Sequence, residues 1–263
     1  PMDELRAVLL DATRTAGGII QSYFNGIFRV DHKEGINNLV TEVDRLAEEK
    51  IVEIIKSAYP GHSVLGEEGG EHLKDGAEYM WVIDPIDGTV NFAHGIPLCC
   101  VSIGLLHHGS VVMGAVYNPM MNELFFAEKG KGATLNGQPI HVSRKSDFKT
   151  AFLVTGFPYK WPENSIEHPV KVFERMVLQG LPIRRLGSAA IDLCWVACGR
   201  FDGFWEYNLS AWDVAAGYLI VLEAGGTITD FDGRIGHVFD KQTLATNGLI
   251  HNDILGVIRK SGD

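Results

Sequence analysis

The chain has 263 residues, 46% hydrophobic and 21% charged, with a formal charge of −10. That size buries a substantial core, as one large domain or two layered halves. The acidic balance argues against nonspecific binding to nucleic acid or an anionic membrane, and no apolar run approaches the roughly 20 residues of a spanning helix.

An amphipathic helix comes first, with Leu5, Val8, Leu9, Ala12, Ala16, Ile19, Ile20 and Phe24 at helical spacing. Residues 26–38 are polar, contain Gly35, Asn37 and Asn38, and predict a loop. A second helix follows, carrying Val43, Leu46, Ala47, Ile51, Ile54, Ile55 and Ala58 on one face and ending at Pro60-Gly61. Strands are expected at 79–83, 101–106, 111–117, 124–127 and 133–135. His107-His108-Gly109-Ser110 is read as the turn of a hairpin. Beyond about residue 145 strands and helices alternate: strand 151–155, helix 166–178, strand 183–186, a helix over 188–197 capped by Ser188, and strand 201–207. The helix over 212–224 is apolar nearly all round, hence buried, and closes at Gly225-Gly226. Strands at 227–229 and 244–246 and a helix from Leu249 complete the chain. The expected fold is an α/β, α+β-type layered αβαβα sandwich. Its antiparallel-rich first half (1–145) and mixed-sheet second half (146–263) form one unit, with the boundary set to within about ten residues.

Asp3, Glu4 and Arg6 in the first turn do not read as a signal peptide. The four cysteines form no disulfide framework. Cys194 and Cys198 at i,i+4 could hold a metal, but no other Cys or His pattern completes such a site. Small buried hydrophobes in a reducing cytosol are the preferred reading, which implies a cytoplasmic location.

The chemistry concentrates in acids where strands or loops meet helices. Gly66-Glu67-Glu68-Gly69 could be mere solvated charge. Asp84 and Asp87, at the mouth of an apolar strand and ahead of Gly88-Thr89, could be an N-cap and a first-turn acid. Asp213 could equally cap the apolar helix it opens. What sets the four apart is their agreement: oxygen donors without His or Cys suit Mg²⁺ or Mn²⁺ rather than zinc. Gathered without metal they would repel one another, and two or three divalent ions remove that penalty. Two ions about 4 Å apart can clamp a phosphate and activate water, while the N–H groups of Gly88 and Thr89 would hold other phosphate oxygens. Asp84 to Thr89 reads D-x-x-D-G-T, one residue longer than the D-x-D-G-T of aspartyl-nucleophile phosphatases, and lacks the further acids of a calcium EF-hand loop.

Five ordered motifs over nearly the whole chain resemble the inositol monophosphatase family of lithium-sensitive, magnesium-dependent phosphatases. They are Leu39-Val40-Thr41-Glu42-Val43-Asp44, Gly66-Glu67-Glu68-Gly69, Asp84-Pro85-Ile86-Asp87-Gly88-Thr89, Gly187-Ser188-Ala189-Ala190 and Trp212-Asp213-Val214-Ala215-Ala216-Gly217. The resemblance implies one Mg²⁺ on Glu67, Asp84 and the Ile86 carbonyl, and a second on Asp84, Asp87 and Asp213. Glu67 would help hold a third, weaker ion. It also implies an attacking water between Glu67 and Thr89, oriented through Asp44, and a mobile-loop lysine at Lys33. Thr41-x-x-Asp44 also reads as a capping box, and both roles can coexist. Substrate contacts would come from Asp87, Gly88, Thr89, Ala189, Glu206 and Asp213, with Arg184 a further candidate.

The expected reaction is hydrolysis of myo-inositol 1-phosphate or a similar polyol monophosphate without a covalent enzyme intermediate, by a homodimer that binds neither nucleic acid nor membrane. Thr89-Val90-Asn91-Phe92 and Gly95-Ile96-Pro97 resemble inositol monophosphatases. Relatives acting on 3′-phosphoadenosine phosphate tend to read Thr-Lys-Glu-Phe there, and histidinol-phosphate phosphatases Thr-Arg-Ala-Phe. Asn208-Leu209-Ser210-Ala211 lacks the basic residue often found before the Trp-Asp pair in bacterial relatives. That leaves a sugar bisphosphatase acting on fructose 1,6-bisphosphate, or a dual-specificity enzyme, as the alternative. A catalytically weak regulatory binding protein on the same fold is the alternative of another class.

Overall fold

The first apolar stripe closes into α1 (Met2–Tyr23), which buries Leu5, Leu9, Ala12, Ala16 and Ile20. This computed structural model describes residues 2–33, 36–159 and 167–260; Gly35 of the expected loop and Ile166 of an expected helix start lie outside them. The stretch 26–38 is not all loop. In it β1 (Val30–His32) pairs antiparallel with β2 (Leu39–Thr41), Asp31 opposite Val40. A strand of three residues shows no readable period, so polar composition concealed it. Directly after β2, α2 (Glu42–Ala58) starts from an N-cap at Thr41 with a capping box to Asp44.

Next come β3 (Ser63–Gly66), β4 (Gly70–His72), β5 (Tyr79–Asp87) and the short helix α3 (Thr89–Ala93). Then follow β6 (Cys100–His107), β7 (Ser110–Asn118), β8 (Glu123–Glu128), β9 (Ala133–Leu135) and β10 (Gln138–Ile140). These strands form an eight-stranded sheet in the order β10-β9-β8-β7-β6-β5-β3-β4. Its one parallel pair is β3 with β5, where Gly66 lies opposite Ile83. Parallel strands deliver their C-terminal ends to the same edge, so Glu67 and Asp84 emerge side by side.

The rest of the chain adds β11 (Leu153–Thr155), α4 (Glu167–Leu178), β12 (Ile183–Arg185), α5 (Ala189–Ala197), β13 (Gly203–Tyr207) and α6 (Ala211–Glu223). It ends with β14 (Thr227–Thr229), β15 (Gln242–Thr246) and α7 (His251–Arg259). The second sheet, β12-β11-β13-β15-β14, is mixed. In it β11 runs parallel to β12 and β13, and β15 antiparallel to β13 and β14.

Alternation along β5 assigns the layers. Trp81 and Ile83 pack with Leu9, Ile20, Ile51 and Ile55 of α1 and α2. Val82 points the other way, into the cluster of Leu193, Val214 and Ile220 from α5 and α6. On the far side of the second sheet, Leu153, Trp205 and Leu244 meet Val172 and Met176 of α4 and Ile254 and Ile258 of α7. The result is an αβαβα sandwich with the apolar helices α5 and α6 at its centre. Trp81 is fully buried, and its truncation to Ala would cost about 3–5 kcal/mol. No helix among the described residues is long and apolar enough to cross a membrane.

Candidate functional site

Asp84 and Asp87 are three residues apart, a spacing that in a regular strand sends side chains to opposite faces. Here the register of β5 against β6 shifts between them: Asp84 pairs with Ser102 and Asp87 with Cys100. That irregularity lets both carboxyls face one cavity of about 360 Å³. Neither acid caps a helix. The N-cap of α3 is Gly88, held at φ 91°, and Leu98 O would crowd any Cβ there at 2.7 Å.

Asp213 arrives from the first turn of α6, where its Oδ2 accepts the Ser210 N–H at 2.7 Å. Asp84, Asp87 and Asp213 each bring a carboxylate oxygen within 4.8 Å of the others. Burial, and then the neighbouring carboxylates, hold Asp84 and Asp213 well above the usual acid range. Burial lifts Asp87 to about 6, against the pull of Ser188 Oγ (2.6 Å) and the Ala190 N–H (2.7 Å), which both donate to its Oδ2. Ser188 and Ala190 stand at the start of α5, so this helix fixes Asp87.

Thr89 opens α3, and its Oγ1 donates to Asp44 Oδ1 (2.9 Å) or to the Ile86 carbonyl (3.0 Å). Asp44 Oδ2 accepts both the Thr41 N–H (2.7 Å) and Thr41 Oγ1 (2.5 Å), so capping and orientation of Thr89 do coexist in one residue. Glu67 follows β3 and ion-pairs with Lys33, whose Nζ lies 2.8 Å from Oε1; Glu68 takes the same ammonium. Burial lowers the pKa of Lys33, but the two carboxylates reverse this and leave it raised. Burial pushes Glu68 up to about 7.

The cavity gathers Lys33, Glu67, Asp84, Ile86, Asp87, Gly88, Thr89, Ala189, Glu206 and Asp213 from the residues the sequence singled out. Asp44 stands behind Thr89. Arg184 is not among the cavity's lining residues, and its guanidinium lies over the Phe152 ring at 5.0 Å. The neighbouring Arg185 lines the cavity instead. Alternation along β12 puts one of two adjacent arginines on each side, and the sequence alone does not say which.

Two acids escaped the sequence reading. Glu48, one helical turn after Asp44, is buried and accepts the N–H groups of Glu68 and Gly69, which fixes the loop carrying Glu67. A Cβ at Gly66 would lie 2.6 Å from its Oε1. Asp192, the one charged residue in the otherwise apolar α5, lines the cavity with its Oδ1 buried and unpartnered. Burial first, then Glu206, holds it well above the usual range. Burial lifts Glu206 itself to about 8. An acid inside an apolar helix was the available signal.

The donor set fits hard divalent cations: carboxylate oxygens and a backbone carbonyl, no imidazole or thiolate. Acids this buried and this close call for positive charge. The fold and site thus define an α/β protein with an acid-lined cavity whose oxygen donors suit divalent cations.

The sequence pattern of the Inositol monophosphatase family matches residues 1–262. The Nus factor SuhB of Pseudomonas aeruginosa is 44% identical over 261 residues, covering 95% of each chain. The inositol-1-monophosphatase of Synechocystis is 44% identical over 250 residues, 94% of this chain and 86% of that one. The crystal structure of the extragenic suppressor protein SuhB from Bartonella henselae superposes with a TM-score of 0.92 at 35% identity, over 98% of this chain and 100% of that one. The chain belongs to the inositol monophosphatase family.

Proposed function

We propose that the protein is a phosphatase that hydrolyses myo-inositol 1-phosphate or a similar polyol monophosphate with Mg²⁺, Mn²⁺ being a possible substitute. The observation that carries this reading is the meeting of Asp84, Asp87 and Asp213 within 4.8 Å, beside a Thr89 hydroxyl whose proton is directed to Asp44 or Ile86. Glu67, Asp84, Asp87, Asp213 and the Ile86 carbonyl would hold two to three ions. When bound, these supply charge that offsets the acids and draws electrons from the phosphate.

The chain's own groups then orient the nucleophile. A hydroxyl has one proton to donate and two lone pairs. With its proton turned toward Asp44 or Ile86, Thr89 Oγ1 accepts from a water, and Glu67 accepts that water's other proton. The water's lone pair is left facing phosphorus for direct displacement. The P–O ester bond breaks as the new P–O bond forms, and the proton the water loses passes to the leaving alkoxide. Lys33, now on Glu67 and Glu68, would be freed to turn to the phosphate once a cation takes up Glu67. Glu206 and Ala189 would meet the substrate hydroxyls.

The test is release of inorganic phosphate from a panel holding myo-inositol 1-phosphate, other sugar phosphates and fructose 1,6-bisphosphate, with and without Mg²⁺. The expected result is Mg²⁺-dependent turnover with the highest specificity constant on a polyol monophosphate. Absence of metal-dependent turnover on every ester would sink the reading. A second reading, a regulatory binding protein on this fold, is supported by the likeness to a protein named Nus factor SuhB. Near-zero turnover combined with tight binding of a protein partner would favour it.

A further inference from the structure

The end of β5 remote from the acids gathers a different set of ligands. Glu78, just before β5, meets His107 and His108 at the turn between β6 and β7, and one donor atom from each lies within 4.8 Å of the other two. At about 3.3 Å per residue, six residues of β5 separate Glu78 from Asp84 by roughly 20 Å, so the two clusters do not share an ion.

Three features hold this cluster in place without a metal. The His107 ring stacks on Tyr79 at 4.5 Å, and Tyr79 stacks in turn on His62 at 4.9 Å, which limits how His107 can rotate. The two-residue turn His108-Gly109 has φ values of 47° and 80°, the positive pair a type I′ hairpin requires. That turn sets the His108 ring beside that of His107. The His108 backbone N–H donates to the Glu78 backbone carbonyl at 2.9 Å, tying these two ligands together. The two imidazole ring centroids sit 4.3 Å apart with the planes tilted by 44°, so the rings are already neighbours. Ligand atoms about 2.0–2.2 Å from a tetrahedral ion lie some 3.4 Å from each other. The spread of up to 4.8 Å therefore closes by small rotations of the exposed Glu78 and His108 side chains about a fixed His107.

We propose that Glu78, His107 and His108 form a second metal site that takes a divalent transition ion of the Zn²⁺ class, with its remaining position open to solvent. Two imidazoles and one carboxylate select such an ion over Mg²⁺, which prefers oxygen alone and holds its own waters. A bound ion would pin the start of β5 to the β6–β7 turn and raise the melting temperature by mass action.

Co²⁺, whose visible absorption reports nitrogen ligation, is the probe. The full-length protein is titrated in excess Mg²⁺, both as wild type and with Asp84→Asn and Asp213→Asn to disable the acid cluster. The expected result in both is one Co²⁺ per chain, displaced by Zn²⁺ and left in place by Mg²⁺. His107→Ala and His108→Ala should each weaken it by more than the roughly tenfold that loss of a supporting partner costs, and Glu78→Gln should weaken it too. Retention of the signal when both histidines are replaced, or no Co²⁺ bound in excess Mg²⁺, overturns the proposal. Because a variant could fold poorly, imidazole NMR of the wild type is the companion measurement. Zn²⁺ must shift the His107 and His108 resonances, and unmoved resonances contradict the site.

Discussion

At the start of α2, Asp44 reaches back to Thr41, and at the start of α6, Asp213 reaches back to Ser210 in the same way. The local motif is shared, Ser or Thr followed by an acid three residues later, but the two acids do different work. Asp44 commits one oxygen to Thr41 and the other to Thr89, so hydrogen bonds within the protein engage both. Asp213 commits one oxygen to its cap and contributes a carboxylate oxygen to the cluster with Asp84 and Asp87. A cap can therefore anchor an acid without deciding its function; that depends on what the rest of the chain brings to the remaining oxygen.

Three substitutions break or sharpen this contrast. Asp213→Asn keeps an acceptor for the Ser210 N–H, so α6 should stay capped, while the charge facing Asp84 and Asp87 is lost. Turnover of a polyol monophosphate should fall by about 1,000-fold or more, roughly 4 kcal/mol of barrier, as read from kcat/KM; a loss of only a few-fold would refute the assigned role. Asp44→Asn should fall by about 10- to 100-fold, because the amide can no longer accept the Thr89 proton as a carboxylate does. Its Mg²⁺ affinity, measured by calorimetry, should hold. Equal losses of Mg²⁺ binding in both variants would erase the distinction between them. The smallest effect belongs to Asp192→Asn. Its buried Oδ1 has no hydrogen-bond partner, which costs stability, so the variant should melt higher. If Asp192 also contacts substrate, KM for the polyol ester rises by about tenfold, the worth of one hydrogen bond to a charged group. An unchanged melting temperature would mean the carboxyl finds a partner in solution.

Much of the arrangement was legible in the sequence for identifiable reasons. Helical periodicity marked α1 and α2, Ser188 marked the start of α5, and the His108-Gly109 turn marked the β6–β7 hairpin. Glu67, Asp84, Asp87 and Asp213 stood out because their chemistry agreed across 147 positions of the chain, from Glu67 to Asp213 (213 − 67 + 1). What was hidden depends on register and on packing between distant segments. The shift that turns Asp84 and Asp87 to one side exists only against β6. Whether Arg184 or Arg185 faces the cavity follows from their pairing with Val154 and Thr155. Glu48 and Asp192 are ordinary helical acids until the loop carrying Glu67 and the Glu206 carboxyl are placed beside them.

Unfolding across pH, with and without Mg²⁺, tests the central claim that Asp84, Asp87 and Asp213 are cation ligands within a cavity of buried acids. Burial raises Asp87 to about 6 and Glu206 to about 8, from ordinary values of 3.8 and 4.5. The folded chain thus binds protons more tightly than the unfolded chain, so this contribution is fully present below about pH 4 and is lost as pH rises toward 8. Without divalent cations the melting temperature should fall from pH 5 to pH 8. Saturating Mg²⁺ should restore it most at pH 8, where the acids are ionised, and should do little for Asp213→Asn. A wild-type melting temperature at pH 8 that Mg²⁺ leaves unmoved would contradict the account.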